Sequence, residues 1–345
     1  MAETSNVARS EIAYTPAEVA RYTLEELQRR KDHKSIGVPM GLGPVDAKMN
    51  PLRPGELVTL LGRPGHYKSG LAQWWARWLA LDILNQQQSD MVVYGTCEMA
   101  IEELGLYDLA VQASLDASAV ARGDINNAEW DALEAASMKR AALPLWLLGH
   151  SLARRKKRAH MSIYTIEQAL YWIEDHMEFK ARVVFLDYLN LLESDRKAGY
   201  APERRIDIAD IVKAAKDMAL FLGCPVVLLA QAHRRADERA WKLPQMADAM
   251  ESAAIEQYSD KIFSVWMPRI TDHGVNITSP AGEVLNAEDT EHMLILGMLK
   301  QKNGPAGGYF KLYVDPARNY IAPLETWQDA ADVPPSLGDN EEIPF

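Results

Sequence analysis

The chain has 345 residues and a formal net charge of −11, from 37 Lys and Arg against 48 Asp and Glu. Its 48% of hydrophobic residues is ordinary for a globular protein, and the acidic balance excludes a uniformly basic nucleic-acid coat but allows a local basic channel. Only Cys97 and Cys224 occur, which excludes a disulfide scaffold or zinc module and predicts a cytoplasmic location. With no signal peptide and no long apolar run, no membrane partner is expected.

An amphipathic helix is predicted near the N-terminus. Thr15 is a suitable N-cap, Pro16 fits the first helical position and Glu18 completes a capping box, so the helix is expected to continue to about Arg30. Its apolar residues are Val19, Tyr22, Leu24 and Leu27. Two interpretations remain open: a helix packed on its own chain, or an arm that docks on a neighbouring subunit.

Apolar strands alternate with helices from about residue 55 onward. The predicted strands are 56–61, 91–94, 143–148, 182–186, 225–229, 261–267 and 292–299, the last two completing the sheet. The predicted helices are 71–84, 100–121, 127–142, 163–180 and 207–222. This alternation predicts an α/β fold, a mostly parallel central sheet flanked by helices with right-handed crossovers.

The first of these strands leads directly into a glycine-containing loop and then a helix, the context that a Walker A phosphate loop requires. The loop consists of Gly62, Arg63, Pro64, Gly65, His66, Tyr67, Lys68 and Ser69. Backbone N–H groups and the helix N-terminus are expected to bind the phosphates of ATP, with Lys68 at the β- and γ-phosphates and Ser69 on Mg²⁺. Tyr67 replaces the last glycine of the pattern, so its side chain must point away from phosphate.

Polar residues at later strand ends complete a candidate hydrolytic site. Glu98 can deprotonate an attacking water, and Asp187 ends an apolar strand in the Walker B manner and can hold Mg²⁺ through water. Gln231 can sense the γ-phosphate, and Lys300 and Lys302 follow the last strand. Each is also explained singly as a cap, a turn former or a solvated edge. Their occurrence together and in this order favours a nucleotide hydrolase.

Five segments resemble, in order, the RecA-like motor domain of the DnaB-type replicative ring helicases. They are CEMAIEEL, VVFLDYLNLL, PVVLLAQAHR, MESAAIEQYSD and LKQKNGPAGG, within a resemblance that covers roughly residues 36–320. The resemblance implies a RecA-like P-loop NTPase fold. It also implies a homo-oligomeric ring, usually a hexamer, that translocates on single-stranded DNA with NTP hydrolysed between subunits. By the same resemblance, the helix at 15–30 is the linker that packs on the next subunit.

Three departures from that family pattern keep other functions open. The family's separate N-terminal domain has no counterpart in the residues before 36, and Tyr67 replaces a loop glycine. The family's arginine finger falls on Lys302, within a Lys-x-Lys pair that resembles the one used by RecA recombinases. Lysine keeps the charge but loses the bidentate guanidinium. An ATP-dependent replicative DNA helicase is predicted, with a recombination or annealing ATPase and a catalytically degenerate DNA-bound adaptor as alternatives.

Basic clusters indicate where single-stranded DNA binds. The first comprises Arg154, Arg155, Lys156, Lys157 and Arg158, the second Arg196, Lys197, Arg204 and Arg205, and the third Arg234, Arg235, Arg239 and Lys242. The second and third are predicted in loops after the strands that end at Asp187 and Gln231, which face the channel in ring helicases, and are expected to contact DNA phosphates. Because Met250 stands where the family usually has Arg, the backbone of Glu251, Ser252 and Ala253 is expected to contribute. The first cluster is either a DNA-entry patch or a solvated loop.

The expected organisation has three parts: a flexible start with the linker helix (1–35), an ATPase motor domain (36–323) and an acidic disordered tail (324–345). The tail ends in Asp339, Glu341, Glu342, Ile343, Pro344 and Phe345. This tip resembles that of bacterial single-stranded DNA-binding proteins, which implies docking of the terminal Phe on host replication proteins and suits a phage or plasmid origin. The alternative is a solvated acidic end.

Overall fold

The computed structural model describes residues 14–32, 37–154, 161–187, 189–193, 204–250, 252–280, 282–302, 304 and 306–324. The chain divides into two compact units, Met1–Gly37 and Val38–Phe345. The helices are α1 (Pro16–Asp32), α2 (Gly43–Lys48), α3 (Lys68–Asn85), α4 (Ile101–Gln112), α5 (Ala117–Arg122), α6 (Asn127–Ala142), α7 (Ile163–Met177), α8 (Arg204–Leu222), α9 (Ser252–Tyr258), α10 (Pro268–Thr271) and α11 (Ala287–Thr290). The strands are β1 (Leu57–Gly62), β2 (Asp90–Thr96), β3 (Leu145–Leu148), β4 (Lys180–Asp187), β5 (Val226–Gln231), β6 (Lys261–Trp266), β7 (Ile277–Thr278), β8 (Val284–Leu285), β9 (Met293–Gln301), β10 (Tyr309–Asp315) and β11 (Tyr320–Pro323).

Helix α1, in the first unit, begins with the capping box that the sequence predicts. The Glu18 carboxylate accepts the Thr15 N–H at 2.9 Å, and the Thr15 hydroxyl accepts the Glu18 N–H at 3.3 Å. Two donors that a helix start leaves unsatisfied are thereby paired. The apolar residues of α1 are Val19, Tyr22, Leu24 and Leu27, and all four are exposed.

The second unit is built on a mostly parallel sheet, as predicted. Its order among the described residues is β11-β10-β9-β6-β1-β5-β4-β2-β3, and the strands from β3 to β6 are parallel. The carboxyl ends of β1, β2, β4, β5 and β6 therefore meet at one edge, which we call the phosphate-loop edge. Ligands of open α/β sheets bind at this kind of edge.

The core lies on both faces of this sheet. All six residues of β1 are buried, as expected of a parallel strand covered on both sides. Helix α3 packs on one face through residues such as Leu71 and Trp75, while α7 and α8 cover the other through residues such as Ile166 and Val212. No helix in the described part of the chain is long and apolar enough to cross a membrane.

The prediction that 292–299 completes the sheet was wrong. β9 pairs antiparallel with β6, and β10 and β11 extend the sheet as an antiparallel hairpin. The hairpin residues alternate in burial, because an edge of the sheet needs only one covered face. The turn between β10 and β11 lies at the phosphate-loop edge, since β10 runs opposite to β9.

The single helix predicted over 100–121 is also wrong, because the structure has two helices there, α4 and α5. Ser114, between them, adopts a left-handed conformation with φ of 57°. The Asp116 carboxylate then caps α5 by accepting the N–H groups of Ser118 at 2.7 Å and Ala119 at 2.9 Å. An aspartate that bonds nearby backbone in this way favours a helix start over a helix interior.

Candidate nucleotide-binding and catalytic site

The phosphate loop connects the end of β1 to the start of α3. Gly62 lies beside Gln231 of β5 and Val265 of β6, and α3 begins at Lys68, whose residue is only 8% exposed. Burial lowers the pKa of Lys68, and the charges of Asp187 and Glu98 act in the opposite direction. The structure therefore brings the lysine and both predicted carboxylates to the same part of the phosphate-loop edge.

Asp187 has one satisfied oxygen and one that lacks a partner. The Tyr94 hydroxyl donates to its Oδ2 at 2.7 Å, and burial raises the pKa of Tyr94 well above its usual value, so the phenol stays a donor. Oδ1 is buried with no hydrogen-bond partner among the described residues. A buried carboxylate oxygen left in this way needs a cation or a donor. With the Ser69 hydroxyl it supplies the hard oxygen ligands that Mg²⁺ prefers, so the residues fit that ion.

Glu98 lies in the turn that joins β2 to α4. Thr96 is paired with Asp187 in the parallel register, and the Thr96 hydroxyl accepts the Met99 N–H at 3.2 Å, which shapes this turn. Glu98 itself is exposed. A carboxylate with solvent access beside a buried lysine can accept a proton from water.

Two side chains of the phosphate loop tie it to neighbouring strands. The His66 Nδ1 accepts the Met267 N–H at 3.1 Å, and burial lowers the His66 pKa, so the ring is a neutral acceptor. Arg63 forms an ion pair with Asp237 at 2.9 Å and donates to the Ala232 carbonyl at 3.3 Å. The loop is thereby linked to the segment that follows Gln231.

That segment carries the third basic cluster, and its four cations are not equivalent. Arg239 forms an ion pair with Asp248, and Lys242 pairs with Asp272. Arg234 and Arg235 are exposed, and neither side chain forms a hydrogen bond or ion pair within the described residues. The DNA contacts predicted for Arg239 and Lys242 remain predictions, but those two cations are already engaged internally.

The second cluster and the backbone contact site are only partly described. Arg204 and Arg205 form the start of α8, so their predicted placement in a loop was wrong, and a helical start adds N–H donors there. Ser252 and Ala253 start α9, and Ala253 is exposed. Outside the described residues lie Arg155, Lys156, Lys157, Arg158, Arg196, Lys197, Glu251, Asp339, Glu341, Glu342, Ile343, Pro344 and Phe345.

Lys300 and Lys302 lie at the opposite edge of the sheet from the phosphate loop. Lys302 pairs with Asp260 at 3.4 Å, and Asp260 also accepts the N–H of Leu57, the first residue of β1. The phosphate loop starts at Gly62, five residues or about 17 Å along the strand at ~3.3 Å per residue. Neither lysine can therefore act on a nucleotide bound to its own subunit.

The two lysines also differ from each other. The Lys300 ammonium donates to the carbonyls of Glu256 at 2.6 Å and Ser259 at 2.7 Å, at the end of α9. Carbonyls at a helix C-terminus are commonly satisfied by such a lysine. The Lys302 side chain is 66% exposed. Of the pair, Lys302 is the one available to a second subunit.

Sequence reasoning missed two polar residues of the site. Tyr94 is in an apolar strand, where nothing marks its hydroxyl as a partner of Asp187. Asp260 directly precedes β6 and holds both Lys302 and, at 2.6 Å, Lys216. Its position before an apolar run was the only signal, and a strand-start aspartate is usually a turn former.

The sheet order, with a phosphate loop after β1 and carboxylates at the ends of β2 and β4, defines a P-loop protein of the RecA-like class. The chain belongs to the family described as DnaB-like helicase C terminal domain, whose sequence model matches residues 37–319.

Curated relatives carry the name replicative DNA helicase DnaB. The chain is 26% identical over 253 residues to that of Leifsonia xyli subsp. xyli, and 26% identical over 291 residues to that of Pasteurella multocida. These matches cover 72% and 82% of the chain, but 51% and 55% of the relatives. The chain thus spans about half the length of the curated relatives it matches.

Solved structures share the fold. The ATPase domain of a phage DnaB-like helicase superposes with a TM-score of 0.71 at 21% identity, over 90% of the chain and 99% of that domain. A DnaB-like replicative helicase, described together with its interactions with primase, gives 0.68 at 21% identity and is covered to 67%. The likeness confirms the RecA-like sheet that the sequence predicts.

Proposed function

We propose that the chain is an ATP-dependent replicative DNA helicase that translocates on single-stranded DNA as a ring oligomer, with a hexamer as the expected ring. The observation that carries the proposal is the unpartnered, buried Asp187 Oδ1 at the same edge as Lys68 and Glu98. An adaptor without hydrolysis has no use for a buried carboxylate oxygen without a partner, because such an atom is costly. ATP hydrolysis that rises when single-stranded DNA is added tests the proposal.

Each residue of the site has a role in that chemistry. Ser69 and Asp187 would hold Mg²⁺, which supplies charge neutralisation for the phosphates when bound. Lys68 and the loop N–H groups bind the β- and γ-phosphates, and Gln231, at the end of β5, is placed to sense the γ-phosphate. Glu98 accepts a proton from the attacking water.

Assembly completes the site in this account. Because Lys302 lies about 17 Å from the phosphate loop of its own chain, its cation serves a neighbouring subunit. The exposed apolar residues of α1 support packing of this linker helix on a neighbour, which removes them from water. Imaging with an ATP analogue and single-stranded DNA separates closed rings from the filaments expected of a recombination ATPase.

Single-stranded DNA is expected to contact Arg234 and Arg235. Replacing both by Ala should weaken binding several-fold and reduce the slope of log K against log salt by about 1.4, since each phosphate contact on a single strand contributes about 0.7. The measurement is a fluorescence titration of labelled oligonucleotide at several salt concentrations.

Lys139→Ala, on the exposed surface of α6, is the matched control for lost charge, and its salt slope should equal that of the wild type. An unchanged slope in the Arg234 and Arg235 double variant would show that these side chains do not contact phosphate. A loss equal to that of the control would assign the effect to net charge alone.

The acidic tip is proposed to dock on host replication proteins that recognise the tails of single-stranded DNA-binding proteins. Burial of Phe345 in an apolar pocket contributes about 2 kcal/mol, and the carboxylates of Asp339, Glu341 and Glu342 orient the encounter with a basic rim. We expect a peptide of residues 336–345 to bind such a protein, more weakly as salt rises, and to lose binding when Phe345 is removed. Fluorescence polarisation with the labelled peptide measures this.

Deletion of Phe345 from the whole chain supplies the control for this prediction. It should leave DNA-stimulated ATP hydrolysis nearly unchanged, because the tip is not placed in the nucleotide site. Equal affinity of the peptides with and without Phe345 would reduce the tail to a solvated acidic end.

A further inference from the structure

The residue before the phosphate-binding lysine adopts a backbone conformation that favours glycine. Tyr67 has φ of 63° and ψ of 22°, in the left-handed region. A Cβ is unfavourable there, because it approaches the following carbonyl oxygen. Gly65, two residues earlier in the loop, has φ of 79° and meets this need in the usual way. Other contacts must hold Tyr67 in the strained conformation.

The first of these contacts is with Gly70, in the first turn of α3. A Cβ placed on Gly70 would lie 2.5 Å from both Cε2 and Cζ of the Tyr67 ring, closer than carbon atoms can approach. The ring therefore occupies the space in which an alanine at position 70 would have its methyl group. Tyr67 and Gly70 are complementary in shape.

The second contact is with the turn between β10 and β11. The Tyr67 hydroxyl donates to Asn319 Oδ1 at 2.6 Å, and Asn319 is buried and itself has a positive φ of 46°. Burial raises the pKa of Tyr67 well above its usual value, so the phenol remains protonated. The Tyr107 hydroxyl donates to the Pro316 carbonyl of the same turn at 3.3 Å. The phosphate loop is thus joined to a hairpin that is remote in sequence.

We propose that Tyr67 is a positioning residue that holds the phosphate loop in its left-handed geometry through Gly70 and Asn319. The inference rests on the proposed binding of nucleotide to this loop. A glycine would give the loop this geometry unaided, whereas here tertiary contacts supply it. Nucleotide affinity consequently depends on Asn319, which no phosphate-loop pattern includes.

A double-mutant cycle tests the Tyr67–Gly70 pair. Gly70→Ala should weaken binding of a fluorescent ATP analogue by about tenfold or more, because the added methyl displaces the ring and the backbone that carries it. In the Tyr67→Gly background the same change should cost less than about twofold, since the space is then free. Gly105→Ala is the matched control: it also lies within a helix, α4, and its added Cβ meets nothing within 4 Å.

Tyr67→Phe and Asn319→Ala test the hydrogen bond. Each should weaken binding of the analogue by about fivefold, the usual scale of one hydrogen bond, and the double variant should bind no more weakly than either. Thermal unfolding without nucleotide is measured in parallel, because a purely structural contact would lower the melting temperature and leave the affinity unchanged. That result, or additive losses in either cycle, would overturn the inference. A wild-type chain that binds no analogue would overturn the proposed function as well.

Discussion

Glu98→Gln should reduce DNA-stimulated ATP hydrolysis by about 10²-fold or more and leave nucleotide binding intact. The amide keeps the size of the side chain but cannot accept a proton, and lost general-base catalysis has this scale. Lys68 and Asp187, which bind the phosphates and the metal ion in this account, are unchanged by the substitution. Hydrolysis is measured by phosphate release with saturating single-stranded DNA, and binding with a fluorescent ATP analogue.

Glu103→Gln supplies the matched control, since Glu103 is an exposed glutamate in the first turn of α4. It should hydrolyse ATP at the wild-type rate. Equal rates for Glu98→Gln and the wild type would remove Glu98 from the chemistry, while a parallel loss of nucleotide binding would give it a structural role.

Lys302→Ala should lower ATP turnover by about 10³-fold, the scale of a cation supplied to the γ-phosphate by a second subunit. The cause is the position of Lys302 at the edge of the sheet opposite the phosphate loop. Mixed with Lys68→Ala subunits, the inactive variant should regain some activity, because a fraction of interfaces then has an intact Lys68 on one side and an intact Lys302 on the other. Steady-state hydrolysis over a range of mixing ratios measures the rescue.

Lys311→Ala is a suitable control, because Lys311 also lies on an antiparallel strand and its ion pair is with Glu283, away from the nucleotide site. It should leave turnover near the wild-type rate. Failure of any mixture to recover activity, with mixed assemblies confirmed by differently tagged subunits, would rule out a role in trans.

Much of this arrangement can be predicted from the sequence, because parallel strands with two buried faces read as continuous apolar runs. The strands that end at Asp187 and Gln231 are of this kind, and the loop before Lys68 follows another. Since carboxyl ends of parallel strands share an edge, locating the strands also locates the residues that follow them.

The remaining features depend on contacts between distant segments. The β10–β11 hairpin has half-buried, alternating residues, so its membership of the sheet could not be read from hydrophobicity alone. The partnership of Tyr94 with Asp187 requires the order in which strands pair. Tyr67 looks like a defect in the phosphate loop until Gly70 and Asn319 are seen around it.

The most direct measurement of the central claim is strand separation on a forked duplex DNA with a single-stranded tail, followed by loss of fluorescence transfer between the strands. The wild-type chain should separate the strands when ATP and Mg²⁺ are present, and Glu98→Gln should bind the fork and leave it paired. A wild-type chain that binds both ATP and the fork but leaves the strands annealed would contradict a translocating helicase.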